Sequence, residues 1–162
     1  MDKKKILQSF IQIIEEQLLT AIQSQKTTVA YVTDEDNKPE NEYDTRGLEA
    51  SYLARGQAER VADLKECLSV YKNTEIINFK SGSPIGNTAL IELLDLDESS
   101  SHKTLLLMPI GGGLQLSDNN KTIQTVTATS PIGQAILKKK VGDLITYSVK
   151  NQIKEFEIIS VL

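Results

Sequence analysis

Six carboxylates crowd one short stretch: Asp34, Glu35, Asp36, Glu40, Glu42 and Asp44 all lie between positions 34 and 44, opposed only by Lys38. Carboxylates are the natural ligands of Mg²⁺, which takes one or two of them and keeps several waters. Such a cluster need not hold a metal alone; it can complete a half-formed site in a partner that owns the other ligands. Taken by itself the run also reads as a solvated turn, since like charges repel and stay in water. Other chemistry-bearing residues are scarce. The single histidine, His102, follows Ser99-Ser100-Ser101 in a polar loop and reads as solvated; a lone histidine so placed argues against a His-based metal centre and a Ser-His-Asp triad. The single cysteine, Cys67, excludes an intrachain disulfide and a cysteine-rich zinc site, and it reads as a packing residue. Gly111-Gly112-Gly113 lacks the Lys-Ser/Thr of a phosphate loop and opens no helix, so it reads as a turn. Lys138-Lys139-Lys140 reads as a solvated helix end.

The elements that position the acids are helical. Leu7, Ile11, Ile14, Leu18 and Ala21 alternate spacings of four and three, the heptad seam of a coiled coil, and Phe10, Ile13, Leu19 and Ile22 widen the stripe. This predicts a helix from Lys3 to about Thr28. The β-branched run Thr28-Val29-Ala30-Tyr31-Val32 either frays it or continues it. A second helix is predicted over 44–72, capped by Asp44 or Thr45. Its seam runs through Ala50, Ala54, Val61, Leu64, Leu68 and Tyr71, with polar Gln57 filling one position. Pro39 disfavours helix at Lys38, so a turn separates the two arms. Two seam-bearing helices joined by a turn form an antiparallel hairpin, each arm roughly 40 Å long at about 1.5 Å per residue. The acids then sit at its tip.

From about position 75 the pattern changes to short apolar runs between turn signals. Strands are predicted over 85–96, 104–109, 123–128, 144–149 and 155–161, in a small antiparallel sheet. One helix interrupts them, Ser130-Pro131-Ile132-Gly133-Gln134-Ala135-Ile136-Leu137, with serine at the N-cap and proline at the first helical position. The chain thus divides into a hairpin over 1–74 and a sheet domain over 75–162, an α+β arrangement with no internal repeats. Composition agrees with a folded protein of 162 residues: 40% hydrophobic and 25% charged, without Trp and with only 5% aromatic residues. Lys and Arg number 18 against 22 Asp and Glu, net −4. That balance argues against broad gripping of duplex nucleic acid and against sequence-specific DNA binding. No apolar run approaches a membrane span, and the basic but interrupted start is no signal peptide, so a cytoplasmic protein is expected.

The run from Ser130 to Asp143 resembles the C-terminal signature of the Gre factors, the GreA/GreB transcript cleavage factors of bacterial RNA polymerase. That signature reads S-P-I-G-x-A-L-x-G-K-x-x-G-D, and the spacing agrees throughout. The ending Lys154-Glu155-Phe156-Glu157-Ile158-Ile159-Ser160-Val161 resembles the family's last strand, and the layout of hairpin, acidic tip and sheet domain matches. At the tip, Glu40-Asn41 matches the family's Glu-Asn pair and Glu42-Tyr43 its acidic-Tyr pair, with one intervening residue missing. The family's aspartate falls on Asn37, beside Asp36. A rival register places the family tyrosine at Tyr52 and its aspartate near Asp44. The resemblance implies an FKBP-like sheet domain and a factor that is not itself an enzyme. It implies that RNA polymerase is the partner, and that the hairpin enters the polymerase's secondary channel. There the tip, through Asp36, Glu40, Glu42 and Asp44, helps hold the polymerase's Mg²⁺ so that backtracked RNA is cleaved near its 3′ end. No intrinsic cofactor is implied. Ser130, Pro131, Ile132 and Gly133 would dock on the channel mouth while also packing on the sheet. An altered tip would instead give a channel competitor that inhibits without cleavage. A coiled-coil adaptor for some other protein is a further alternative. The few aromatic residues speak against prolyl isomerase activity.

Overall fold

The computed structural model describes residues 2–33, 45–80, 82–97, 101–118, 121–149 and 152–162. Two long helices come first, α1 (Lys3–Thr33) and α2 (Arg46–Asn73). The β-branched run at 28–32 therefore continues the first helix, consistent with the small helix penalty of branching. At the start of α2 the Thr45 carbonyl accepts the Glu49 N–H (2.9 Å), so Thr45 is the N-cap, and its hydroxyl bonds the Glu49 carboxylate (3.1 Å). Asp44, the other predicted cap, lies outside the described residues.

Six strands and a short helix follow: β1 (Leu90–Asp95), β2 (His102–Met108), β3 (Gln115–Asp118), β4 (Lys121–Thr127), α3 (Pro131–Ile136), β5 (Leu144–Val149) and β6 (Gln152–Val161). They form one sheet in the order β3-β4-β2-β1-β6-β5. The expected antiparallel sheet is corrected to a mixed one, because β2 and β4 pair in parallel from Thr104↔Ile123 to Met108↔Thr127. The reason lies in the glycine run. Gly111 and Gly113 adopt left-handed φ of 74° and 92°, turning the chain to the sheet edge, where β3 forms. The β3–β4 hairpin then returns into the slot beside β2. Thr125, fully buried, pins this turn: its hydroxyl donates to the Gly111 carbonyl (2.7 Å) and accepts the Leu114 N–H (3.0 Å). Strand β3 was hidden in the sequence by the turn signals around it.

Both faces of the central strands are largely covered, which explains why β2 ends in a continuous apolar run and β1 is interrupted only by half-buried Glu92 rather than alternating. One face carries Ile91, Leu93, Leu105, Leu107, Val126, Ile145, Phe156 and Ile158, packed with Ile136 of α3. The other carries Leu90, Leu106, Met108 and Ile123, also buried. The sequence expectation started the first strand at position 85, but it begins at Leu90, because Thr88 has φ 66°. A β-branched residue there is an outlier, costing on the order of 1–2 kcal/mol.

The chain separates into two compact units, residues 1–10 with 73–162, and residues 11–72. The first ten residues, placed with the hairpin in the 1–74 division, thus cluster with the sheet unit. The buried stripe at the start of α1 runs through Lys3, Ile6, Phe10 and Ile14; of the expected seam Ile14 is buried, while Leu7, Ile11, Leu18 and Ala21 are half-buried. Lys3 is held there by carbonyls: its Nζ donates to those of Ile77 and Thr88 and lies 5.1 Å from the Phe79 ring centroid. Burial lowers its pKa below the usual lysine value. On α2, Val61, Leu64, Cys67 and Tyr71 are buried, with Leu68 half-buried. Burial pushes the Cys67 thiol up, which keeps it protonated and unreactive near neutral pH. His102 is not in a loop. It opens β2, with Nδ1 3.5 Å from the Glu92 carboxylate, which also pairs with Lys121 at 2.8 Å.

Thr88 ties three segments together. Its N–H donates to the Leu107 carbonyl (2.7 Å), its hydroxyl accepts the Ile77 N–H (3.0 Å), and its carbonyl accepts from Lys3 (3.2 Å). Thr88→Val keeps shape and backbone but deletes the acceptor for Ile77. We expect a loss of about 1–2 kcal/mol, read as a lower urea midpoint with an unchanged slope. An unchanged midpoint would show that this bond carries no net stability.

Candidate functional site

Two regions were expected to carry function, the acidic tip and the Ser130–Gly133 tetrapeptide. Asp36, Glu40, Glu42 and Asp44 lie outside the described residues. Among the described residues no group of three or more His, Cys, Asp or Glu is placed to hold a metal ion. What the structure describes of the hairpin is its two arms, which end at Thr33 and resume at Thr45.

The tetrapeptide is described in full, and every one of its residues has a local structural task. Ser130, at φ −71° and ψ 153°, is the N-cap of α3. Its hydroxyl accepts the Gly133 N–H (3.1 Å) and donates to the Thr127 carbonyl (2.7 Å), so both its functions are engaged. Pro131 occupies the first helical position, where a missing N–H costs nothing. Ile132 is partly buried against the core. Gly133 is fixed by steric exclusion: a Cβ there would stand 1.8 Å from the Thr127 oxygen. Of the four, only Pro131 is exposed, flanked by exposed Thr129 and Gln134.

The remainder of the motif continues this brace. After α3, Lys138 takes a left-handed φ of 64°, the usual way to end a helix, though normally with glycine. The family signature has glycine at this position, and this chain has lysine. Lys138 and Lys139 then clasp an earlier segment, through Lys138 N–H to the Ile85 carbonyl (2.9 Å) and Ile85 N–H to the Lys139 carbonyl (2.8 Å). Gly142 follows with φ 87°, and the Asp143 carboxylate accepts the Lys140 N–H (2.8 Å), closing the turn into β5. The Gly-Asp pair is therefore a strand-entry turn. The roles of Lys138, Gly142 and Asp143 were passed over in the sequence, where the glycine in the family pattern was the available signal. The clasped segment holds a surprise: Ser83-Pro84-Ile85-Gly86 repeats the tetrapeptide of α3, an exception to the expected absence of repeats. This copy forms no helix, and Ile85 is buried in the core.

These contacts predict opposite signs at two neighbouring positions. Gly133→Ala forces the start of α3 away from Thr127 and is expected to cost about 2–3 kcal/mol. Lys138→Gly relieves the left-handed lysine and is expected to add about 1 kcal/mol. Chemical denaturation of both variants checks them, and equal signs would show that the turn geometry is not what decides these positions.

Residues 85–162 match the family described as "Transcription elongation factor, GreA/GreB, C-term". Among curated proteins the chain is similar to the "Transcription inhibitor protein Gfh1" of Thermus thermophilus. The two are 25% identical over 122 residues, covering 75% of this chain and 73% of that protein. The protein of the same name from Thermus aquaticus is 26% identical over the same length. A solved structure of GreA factor homolog 1 from Thermus thermophilus aligns over 94% of each chain at 21% identity, with a TM-score of 0.40. These descriptions name transcription factors and no enzyme. Residues 85–162 therefore match a GreA/GreB-type C-terminal domain, and the chain is similar to Gre-like transcription factors over three quarters of its length.

Proposed function

We propose that this protein binds RNA polymerase, carries the acids of residues 34–44 into its secondary channel on the α1–α2 hairpin, and restrains RNA synthesis there. The observation that carries the reading is the coupling of a GreA/GreB-type domain to a helical hairpin whose connecting residues hold six carboxylates against one lysine. Inhibition is favoured over cleavage by the relatives that span three quarters of the chain, which are named transcription inhibitors. It is favoured also by the connecting residues, which are one short of the family pattern and have Asn37 where that pattern has aspartate.

The donor chemistry of Asp36, Glu40, Glu42 and Asp44 fits Mg²⁺, a hard cation that takes carboxylate oxygens. The metal would belong to the polymerase and supply Lewis-acid and nucleophile-orienting chemistry there. This chain's part is to present carboxylates and occupy space. Cleavage stimulation is the second reading, supported by the Glu40-Asn41 pair with Asp36 nearby. For docking of the sheet domain we assign exposed Pro131 with Thr129 and Gln134, because Ser130, Ile132 and Gly133 are taken up by capping, packing and close approach.

The test uses purified polymerase in stalled, backtracked elongation complexes. The expected result is co-purification at low salt, slower synthesis and no RNA shortening above the polymerase's own rate. Changing Asp36, Glu40, Glu42 and Asp44 together to Ala should weaken inhibition about tenfold or more, equivalent to about 1.4 kcal/mol of lost interaction. Shortened RNA would replace inhibition with cleavage stimulation. Failure to co-purify would remove the polymerase altogether and leave an adaptor for another protein. Pro131→Glu should weaken co-purification without moving the urea midpoint, and unchanged binding would put docking elsewhere.

A further inference from the structure

The seam of the hairpin changes character along its length. Among the described residues of 11–72 the buried side chains lie towards one end: Ile14 on α1, and Val61, Leu64, Cys67 and Tyr71 on α2. None of positions 15–30, nor 33, 45 or 47–60, is buried. Apart from half-buried Leu18 and Ile22, the seam positions there are small or polar. Ala21, Gln25 and Thr28 on α1 and Ala50, Ala54 and Gln57 on α2 are only half-buried, while the larger Leu19, Leu48, Tyr52 and Leu53 are exposed.

Polar groups in this part of the seam do not bond across it. Thr20, Gln23, Ser24, Thr27 and Thr28 line a groove of about 410 Å³ together with Gln57. The three threonine hydroxyls turn back to their own helix, bonding the carbonyls of Glu16 (3.0 Å), Gln23 (3.1 Å) and Ser24 (3.1 Å). The Gln57 side-chain oxygen is left buried without a hydrogen-bond partner, a cost comparable to a lost hydrogen bond. The one described bond between the arms near this level, Arg60 to Gln17 at 3.3 Å, is exposed and sits at the boundary of the apolar part. Without packing across the seam each arm must hold itself. Helical segments of roughly 12–15 residues are marginal alone in water, and residues 20–33 and 45–57 are about that long.

We infer that the hairpin consists of two cooperative segments, and that the segment beyond Leu18 and Arg60 opens locally while the apolar seam from Ile14 to Tyr71 stays folded. This does not depend on the polymerase reading. Its consequence for any target is the same: the helical arms that flank residues 34–44 are ordered in part by the target itself, so binding carries an ordering cost and affinity is lowered while the surface stays adaptable.

Hydrogen exchange of the full chain, followed by mass spectrometry, tests this. Amides of residues 20–30 and 48–57 should exchange about 10- to 100-fold faster than those of residues 11–16 and 61–71, with a step near Leu18 and Arg60. Gln57→Leu supplies the missing apolar contact and removes the unpaired oxygen. It should slow exchange in both distal stretches about tenfold and leave the proximal ones unchanged. Uniform protection along both helices would overturn the inference. So would a gradual fade confined to the turns next to Thr33 and Thr45, which is ordinary end fraying, or distal rates that stay within about twofold after Gln57→Leu.

Discussion

The carbonyl oxygen of Thr127, at the end of β4, is the point on which the second half of the sheet unit turns. It accepts the Ser130 hydroxyl and backbone N–H, and it stands so close to Gly133 that no side chain fits between them. That contact starts α3 at one place and in one direction. Ile136 then enters the core, Lys138 reverses the chain, and Lys138 and Lys139 clasp Ile85 before Gly142 and Asp143 lead into β5. Each step is a short-range constraint, and each delivers the chain to the next. The geometry of this motif is over-determined, which leaves little of it free to serve as a recognition surface.

The hairpin follows a different logic. Its buried side chains are Ile14 on α1 and the apolar stretch from Val61 to Tyr71 on α2, and burial thins toward residues 33 and 45, where alanine, threonine and glutamine largely replace leucine and isoleucine. A factor that only needed a stiff rod would continue the apolar seam to the end. The observed gradient trades stiffness for adaptability in the part that flanks the acids.

Much of this was legible in the sequence because the signals are local. Ser-Pro before an apolar stripe marks a helix start, and α3 begins there. Threes and fours of apolar residues mark long helices, and α1 and α2 follow them. The misses have local causes too. Strand β3 is short and lies between turn residues that conceal it. The parallel pairing of β4 depends on where a glycine turn delivers the chain, which no periodicity encodes. The stripe of α1 begins one position away from the heptad seam because its first ten residues cluster with the sheet unit.

Ser-Pro-Ile-Gly occurs twice in this chain, and the two copies separate what residues determine from what the fold decides. The shared residues set a preference: a capping hydroxyl, a fixed φ, an apolar side chain to bury and a position open to close approach. At 130–133 the carbonyl of Thr127 is in place, the cap closes and a helix forms. At 83–86 the same tetrapeptide runs without helix into the buried Ile85, whose backbone bonds to Lys138 and Lys139 from the far end of α3. Local chemistry therefore specified helices, turns, the acidic run and the family signature. Which partner each backbone group found, and so whether an identical stretch became helix or extended chain, was decided only when distant segments met, because hydrogen bonds unsatisfied within four residues must be closed by whatever the fold brings alongside.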